Sequence, residues 1–308
     1  MTLIRGIDKL QDHHSPCVAS IGNFDGVHLG HQHVINTLLE HSQRLGLTST
    51  VITFEPLAKE FFRPKSVQRL TTLDERAELL FALGVEQVLC IDFNAQFAAY
   101  SPTGFVEDVL LTGLGVKHLS VGDDFRFGKN RAGDFNLLTT LGDQLGFDVT
   151  AHETFELDSA RVSSGRIRNA LSDGDFVLAA RLLGRPYAIV GKVSKGQQRG
   201  RTINFPTANI VLPEMLMPLH GVYAVTASLA CGMQVNGVAN VGTRPTVDGQ
   251  ENRLETHLLD FDRDLYGQTM SVRFIEKIRD EFKFDSFDDL KRQIQKDASR
   301  ARDILTTK

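Results

Sequence analysis

The sequence predicts an α/β plus β protein: an N-terminal doubly wound parallel-sheet domain, then a small antiparallel β-barrel with a terminal helix. Three observations predict the two classes. Up to about residue 183, short apolar β-branched runs alternate with stretches of helical period, the pattern of a parallel sheet with helices on both faces. From Gly184 onward the runs are β-rich and broken at short intervals by Gly, Pro and Asn, which suits a small antiparallel barrel. The length, 308 residues, exceeds one small core and suits two domains, 1–183 and 184–308.

Each element has a local reason. CVASIG (Cys17 to Gly22) is an apolar run ending in glycine, a buried-strand signature. Val34, Ile35, Leu38, Leu39 and Leu45 recur at helical spacing between His31 and Leu45. TSTVITF (Thr48 to Phe54) is β-branched. Thr72 and Glu75 form a capping box before Leu79, Leu80 and Leu83, and Gly84 stops that helix. VLCID (Val88 to Asp92) and HLSVG (His118 to Gly122) are strands separated by the helical FVEDVLLTGLG. Phe135 to Leu145 and FDVTA (Phe147 to Ala151) complete the alternation. The barrel strands are TANIVL, GVYAVTASL, QVNGVANVG, RLETHLLDF and MSVRFIEKIRD, and Ser286 caps a final amphipathic helix running through Ile294 to Leu305.

Composition removes several classes of function. A net charge of -4 argues against a nucleic-acid partner, which asks for a basic excess. No run of about 18 apolar residues predicts a membrane span. The three cysteines, Cys17, Cys90 and Cys231, are far apart and suggest neither a disulfide framework nor a zinc knuckle. The N-terminus turns polar within a few residues, unlike a signal peptide. A cytoplasmic protein with small-molecule partners is expected, its oligomeric state left open.

The first chemical signal is GNFDGVHLGH (Gly22 to His31), directly after the first strand. A loop joining a parallel strand to a helix binds phosphate through unpaired N–H groups and the positive end of the helix dipole. His28 and His31 lie three apart, so both can face one anion. Imidazole donors there would stabilise charge building on an α-phosphate and a leaving pyrophosphate. Two histidines so spaced also suit a metal, or an ordinary helix surface. The second signal is GKVSKGQQRGRTINFPTAN (Gly191 to Asn209). Gly196 and Gly200 allow close backbone approach to phosphates, and Lys195, Arg199 and Arg201 add positive charge. Thr207 and Asn209, at i and i+2, put neutral oxygens on one side of a strand, a reasonable Mg²⁺ set with ATP phosphates.

Taken together these motifs resemble a family. GNFDGVHLGH resembles the H-x-G-H signature of nucleotidyltransferases in its bacterial FAD synthetase form. VGDDFRFGKNRAGD (Val121 to Asp134) resembles that family's flavin loop, and VSSGRIRNAL (Val162 to Leu171) resembles its second signature. FPTAN, HGVYAV, NVGTRPT and LETHLLDF resemble riboflavin kinases, in which they build a six-stranded barrel. The order, over about residues 15 to 300, resembles bacterial bifunctional riboflavin kinase/FMN adenylyltransferases. The resemblance implies riboflavin, FMN and FAD as substrates and products, with ATP and Mg²⁺ at two sites. It implies ATP contacts at Gly22, Phe24, Asp25, Gly30, Ser163, Ser164 and Arg168, and flavin contacts at Asp124, Phe125, Arg126 and Asn130. In the barrel it implies ATP contacts at Gly191, Lys195, Gly196, Gly200, Arg201, Thr207 and Asn209, with Thr207 and Asn209 as metal ligands and Glu255 as general base.

The pattern is broken at Gly165, where the family has threonine and one hydroxyl is lost. It is also broken at Asn204 in place of glycine, a residue that tolerates a left-handed backbone. The ribityl 5′-hydroxyl must lose a proton as it attacks ATP, which calls for a carboxylate. The FMN phosphate needs no base, its second pKa being about 6. Two rival readings stand beside this one: a nucleotidyltransferase for a non-flavin phosphate, and a non-enzymatic flavin-binding regulator.

Overall fold

The computed structural model describes residues 1–13, 15–64, 67–195, 205–212, 217–246 and 249–307. Two compact units divide the chain, Met1–Ser164 and Gly165–Lys308.

The first unit runs β1 (Thr2–Arg5), β2 (Cys17–Ile21), α1 (Leu29–Leu45), β3 (Thr48–Glu55), α2 (Ala58–Phe62), α3 (Leu73–Ala82), β4 (Gln87–Asp92), α4 (Ala95–Ala98), α5 (Pro102–Gly104), a π-helix Phe105–Gly113, β5 (Val116–Gly122), α6 (Phe135–Leu145) and β6 (Asp148–His152). Its six strands pair in the order β1-β4-β3-β2-β5-β6, all in parallel. β2 is buried along its whole length, because helices cover both faces of such a sheet and every side chain of a central strand meets core. One face packs Val18, Val51 and Val88 under Ile35 and Leu38 of α1 and Leu80 of α3. The other packs Ala19, Ile52 and Leu119 against Phe105, Val109 and Leu138. The sequence reading made residues 105–113 an ordinary helix. Its four buried side chains carry the same apolar face, and nothing in the pattern separates i→i+5 from i→i+4 bonding.

Strand order reverses between β2, which pairs β3 on one side, and β5 on the other. Ligands of open parallel sheets bind outside the carboxyl ends of the strands at such a switch point. The two loops that leave β2 and β5 there are Gly22–His28 and the segment after Gly122.

A seam of histidines lies between α1 and the sheet beside this point. His41 stacks on His118 with ring centroids 4.0 Å apart, and His33 meets His152 edge-on at 6.5 Å. His118 and His152 are buried. Burial and the neighbouring His41 push His118 down to about 4 from 6.5, against the pull of Asp148, and burial also lowers His152. Both are therefore neutral when folded and readily protonated when unfolded. Between pH 6.5 and about 4 the unfolded chain binds more protons, so stability is full above that window and is lost as pH falls through it. The first unit is expected to lose on the order of 2–3 kcal/mol across it through His118 alone. Thermal melts from pH 8 to 4.5 test this: a His118→Gln variant should flatten the slope, and an equal slope in both proteins would refute the assignment.

The first unit ends with a short ribbon of β7 (Glu156–Leu157) and β8 (Ala160–Arg161); the second begins at Gly165, one residue into α7 (Ser164–Ser172), and continues with α8 (Phe176–Leu183). Then come β9 (Ala188–Ser194), β10 (Ala208–Val211), β11 (Gly221–Leu229), β12 (Gln234–Thr246), β13 (Gly249–Leu258), β14 (Thr269–Arg279) and α9 (Phe287–Thr307). The six strands close a barrel in the order β10-β13-β12-β11-β14-β9, with antiparallel pairing throughout. Closure removes exposed sheet edges. α9 lays Ala298, Ala301 and Ile304 on Val222, Ala224 and Val238 of the barrel, and Ser286 caps it by accepting from Asp289 N at 3.1 Å.

Candidate active sites

The loop after β2 is held in an unusual backbone. Phe24 and Val27 both have positive φ, 48° and 41°, a conformation that costs free energy and persists only where surroundings enforce it. The enforcement is visible. The Asp25 carboxylate is buried and accepts from Leu70 N at 3.0 Å and from Thr71 N at 3.1 Å. Thr71 Oγ1 accepts from Gly26 N at 3.0 Å. Arg76, fully buried, donates to Asn23 O and Thr53 Oγ1, each at 2.8 Å, and pairs with Glu55 at 3.2 Å. Asp25 thus shapes the loop through its side chain.

His28 is the N-cap of α1. Its Nδ1 accepts from His31 N at 3.3 Å, so the ring proton sits on Nε2. His31 stacks on His28 with centroids 3.6 Å apart and planes 14° from parallel. Burial, then His28, then the Arg76 and Arg161 cations hold the His31 pKa well below its ordinary value, so His31 is a neutral imidazole. Gly30 keeps this turn open, because a Cβ there would come within 3.3 Å of the His28 ring and 3.4 Å of Val162 O. Ser164 Oγ donates to Asp25 O at 2.9 Å and so ties the second signature to the first. Arg168 lies on α7, one turn on, half-buried. Among the described residues no group of three or more His, Cys, Asp or Glu is placed to hold a metal.

After β5, Asp124 pairs with Arg161 at 2.9 Å and Arg126 with Asp134 at 3.1 Å. Asn130 is exposed, with φ 57°. Phe125 stacks on buried Phe127 at 5.6 Å. From there a row of rings follows the carboxyl side of the sheet, Phe127 to Phe105 at 5.9 Å, Phe105 to Phe97 at 5.9 Å, Phe97 to Phe93 at 5.4 Å. It ends at Phe62, which is 66% exposed and 5.9 Å from Phe93.

In the barrel, Asn209 on β10 is the register partner of Glu255 on β13, and Glu255 is the partner of Asn240 on β12. Directly opposed residues share a face, so the three side chains stand side by side across three strands. Asn209 is 5% exposed, and its Nδ2 donates to Thr207 O at 3.1 Å and Thr207 Oγ1 at 3.3 Å. That turns the amide oxygen away from Thr207. His257, left without a role by the sequence, donates from Nδ1 to Pro206 O at 2.8 Å and so fixes the Phe-Pro-Thr segment. Thr207 and Glu255 open onto a cavity of about 370 Å³ whose other walls include Val222, Val238, Phe284, Leu290 and Ile294. Gly191 is a packing position, since a Cβ there would come within 2.3 Å of Ile210 Cγ2. Lys195 is exposed, its Nζ 5.8 Å from the Tyr266 ring centroid. Gly196, Arg199, Gly200, Arg201 and Asn204 lie outside the described residues.

Comparison with known proteins meets this geometry in both halves. The FAD synthetase family matches residues 10–166 and the riboflavin kinase family residues 183–305. A bifunctional riboflavin kinase/FMN adenylyltransferase of Pseudomonas fluorescens is 47% identical, over 98% of this chain and 97% of its own. That of Escherichia coli K12 is 47% identical over 99% and 98%. The chain belongs to the bifunctional riboflavin kinase/FMN adenylyltransferase family. A crystal structure of a Streptococcus pneumoniae protein, described as a macrolide-efflux protein, is also similar: 32% identity, TM-score 0.80, 98% of this chain and 99% of that one. No helix among the described residues here is long and apolar enough to cross a membrane.

For a member of the riboflavin kinase/FMN adenylyltransferase family, the sequence reading passed over Arg76, Arg161 and the aromatic row. Arg76 sits in Glu-Arg-Ala-Glu, which reads as the solvent face of a helix. Only the fold brings Asn23 and Glu55 to it. The row had one visible trace, the clustering of phenylalanines at 54, 61, 62, 93, 97, 105, 125 and 127.

Proposed function

We propose that the chain carries both activities of its family, with riboflavin phosphorylation in the barrel and FMN adenylylation at the switch point of the parallel sheet. The observation that carries the kinase assignment is the register Asn209–Glu255 beside Thr207, with Thr207 and Glu255 lining a cavity of mixed apolar and charged walls. Thr207 and Asn209 offer neutral oxygens next to the carboxylate, a donor set that fits Mg²⁺ better than a soft metal. Mg²⁺, when bound with ATP, neutralises charge on the transferring phosphoryl group. Glu255 takes the proton from the 5′-hydroxyl of riboflavin as that oxygen attacks the γ-phosphorus of ATP and ADP leaves. Lys195, Gly196, Gly200 and Arg201 form the phosphate-facing loop in this reading, and Gly191 keeps β9 close to β10.

In the first half, His28 Nε2 and His31 donate toward the α-phosphate and the leaving pyrophosphate, from the N-terminus of α1. A neutral imidazole serves as such a donor. Ser163, Ser164 and Arg168 hold the remaining phosphates, which assigns α7 to this reaction and puts the functional boundary at 183/184. Gly22, Phe24, Asp25 and Gly30 shape the nucleotide loop. Asp124, Phe125, Arg126 and Asn130 take the flavin, with Phe62 and the row behind it as the apolar platform for the ring system. Free Cys17, Cys90 and Cys231 fit a reducing cytoplasm.

Incubating purified protein with riboflavin, ATP and Mg²⁺ and separating the flavins tests the reading. FMN and then FAD are expected, both abolished by a chelator and restored by Mg²⁺. FAD from supplied FMN, without FMN from riboflavin, would leave the barrel as a binding module.

A further inference from the structure

Asn240, the first residue of the NVGTRPT stretch, stands opposite Glu255 across the β12–β13 pair, and neither the resemblance nor the phosphoryl transfer assigns its side chain a role. Its Nδ2 donates to Glu281 Oε1 at 2.9 Å. A carboxylate can only accept, so this bond fixes the orientation of the amide and turns Oδ1 the other way. That Oδ1 is buried and has no hydrogen-bond partner among the described residues, an uncommon state for a native polar group. Glu281 is itself seated by the backbone. A Cβ on Gly242 would come within 2.2 Å of Glu281 Oε1, so glycine at 242 makes room for the carboxylate that orients Asn240.

Asn240, Glu255, Glu281 and Thr207 line one cavity. Across it the strands impose an order: Thr207 and Asn209 on the β10 side, Glu255 in the middle, Asn240 one strand further, about 4.8 Å per step. The phosphate end of the reaction is at Asn209 and the attacked hydroxyl at Glu255. The polyol chain that continues from that hydroxyl toward the apolar walls therefore passes Asn240.

We infer that Asn240 reads the ribityl chain: Oδ1 accepts a hydrogen bond from one of its secondary hydroxyls, and Glu281 holds the amide in the accepting orientation. The barrel then selects flavins that carry a polyol over flavins that carry only a terminal hydroxyl. This rests on the assignment of the barrel as the riboflavin kinase site.

The test compares kcat/KM for riboflavin and for the 10-(5-hydroxypentyl) flavin, which keeps the attacking hydroxyl and lacks the others. Asn240→Ala should lose about 10-fold on riboflavin, the scale of one hydrogen bond, through KM for flavin and not KM for ATP. It should leave the hydroxypentyl flavin unchanged, so discrimination falls by the same factor. Glu281→Gln, whose amide can also donate and so lets Asn240 flip, should lose discrimination to a smaller extent. FAD formed from supplied FMN reports the intact first unit, and a thermal melt the folded barrel, in each preparation. Equal losses on both flavins would overturn the inference and assign Asn240 to the ring or the fold. A wild-type protein that phosphorylates neither flavin while still making FAD from FMN would overturn the kinase assignment itself.

Discussion

Replacing Glu255 with glutamine is expected to lower riboflavin phosphorylation by about 10²–10⁴-fold, the range for losing a general base, while adenylylation of supplied FMN continues at the wild-type rate. The substitution conserves size and hydrogen-bonding reach, so the cavity and the β10–β13–β12 register should survive it. Only the capacity to take up a proton is removed. The attacking alcohol is far from ionised at neutral pH, and Asn209, Asn240 and Thr207, which are next to Glu255 in register or just before β10, cannot replace a base. His257 is occupied by Pro206 O through Nδ1, and burial lowers its pKa. If it relayed the proton, His257→Gln would cost as much as Glu255→Gln. A purely positioning role predicts a loss in KM for ATP, because His257 fixes the segment leading into Thr207. Retention of phosphorylation in Glu255→Gln would refute the base assignment and leave the two-site reading to rest on Thr207 and Asn209.

What could be read in the sequence was what local chemistry decides. The α3 start is an example: Thr72 Oγ1 accepts from Glu75 N at 3.2 Å while Glu75 accepts from Thr72 N at 2.7 Å, a reciprocal pair four residues wide. β11 follows the run Gly221–Leu229 because turn residues bound it on both sides. A small antiparallel barrel was readable from the spacing of its β-rich runs, but its six-stranded form came only through family resemblance, since closure depends on β9 reaching both β10 and β14, pairings set by topology. The same division runs through the sites. Phosphate-binding character at Gly22–His31 was visible because a strand, a glycine and a helix start suffice for it. Asp25 was read as part of the nucleotide contact, whereas its carboxylate meets the N–H groups of Leu70 and Thr71, 45 and 46 residues away, a partnership no spacing encodes. Glu281, and the role of Asn240 within NVGTRPT, escaped for the same reason. Each looks like an ordinary strand or strand-end residue until β12, β13 and the end of β14 are brought around one cavity.

The second large effect belongs to His28, and separating its two roles requires the right substitution. As N-cap, His28 accepts from His31 N, and asparagine is among the best residues for that duty. His28→Asn should therefore keep α1 capped, yet remove the imidazole Nε2–H and its stacking on His31. Adenylylation of FMN is expected to fall by about 10²–10³-fold, the cost of one preorganised donor aimed at developing charge. Riboflavin phosphorylation, carried out in the barrel, serves as the internal control. His28→Ala should show the same catalytic loss with about 1 kcal/mol of added destabilisation from the missing cap, read as a lower Tm of the first unit. The comparison decides between two physical accounts of this histidine. If His28→Asn adenylylates normally and only His28→Ala fails, the imidazole works as a helix cap, and the charge on the leaving pyrophosphate must be met by the backbone N–H groups of α1 and by His31. If both fail alike, the donor on Nε2 is the functional group, and the capping bond from His31 N is what keeps its proton on that nitrogen.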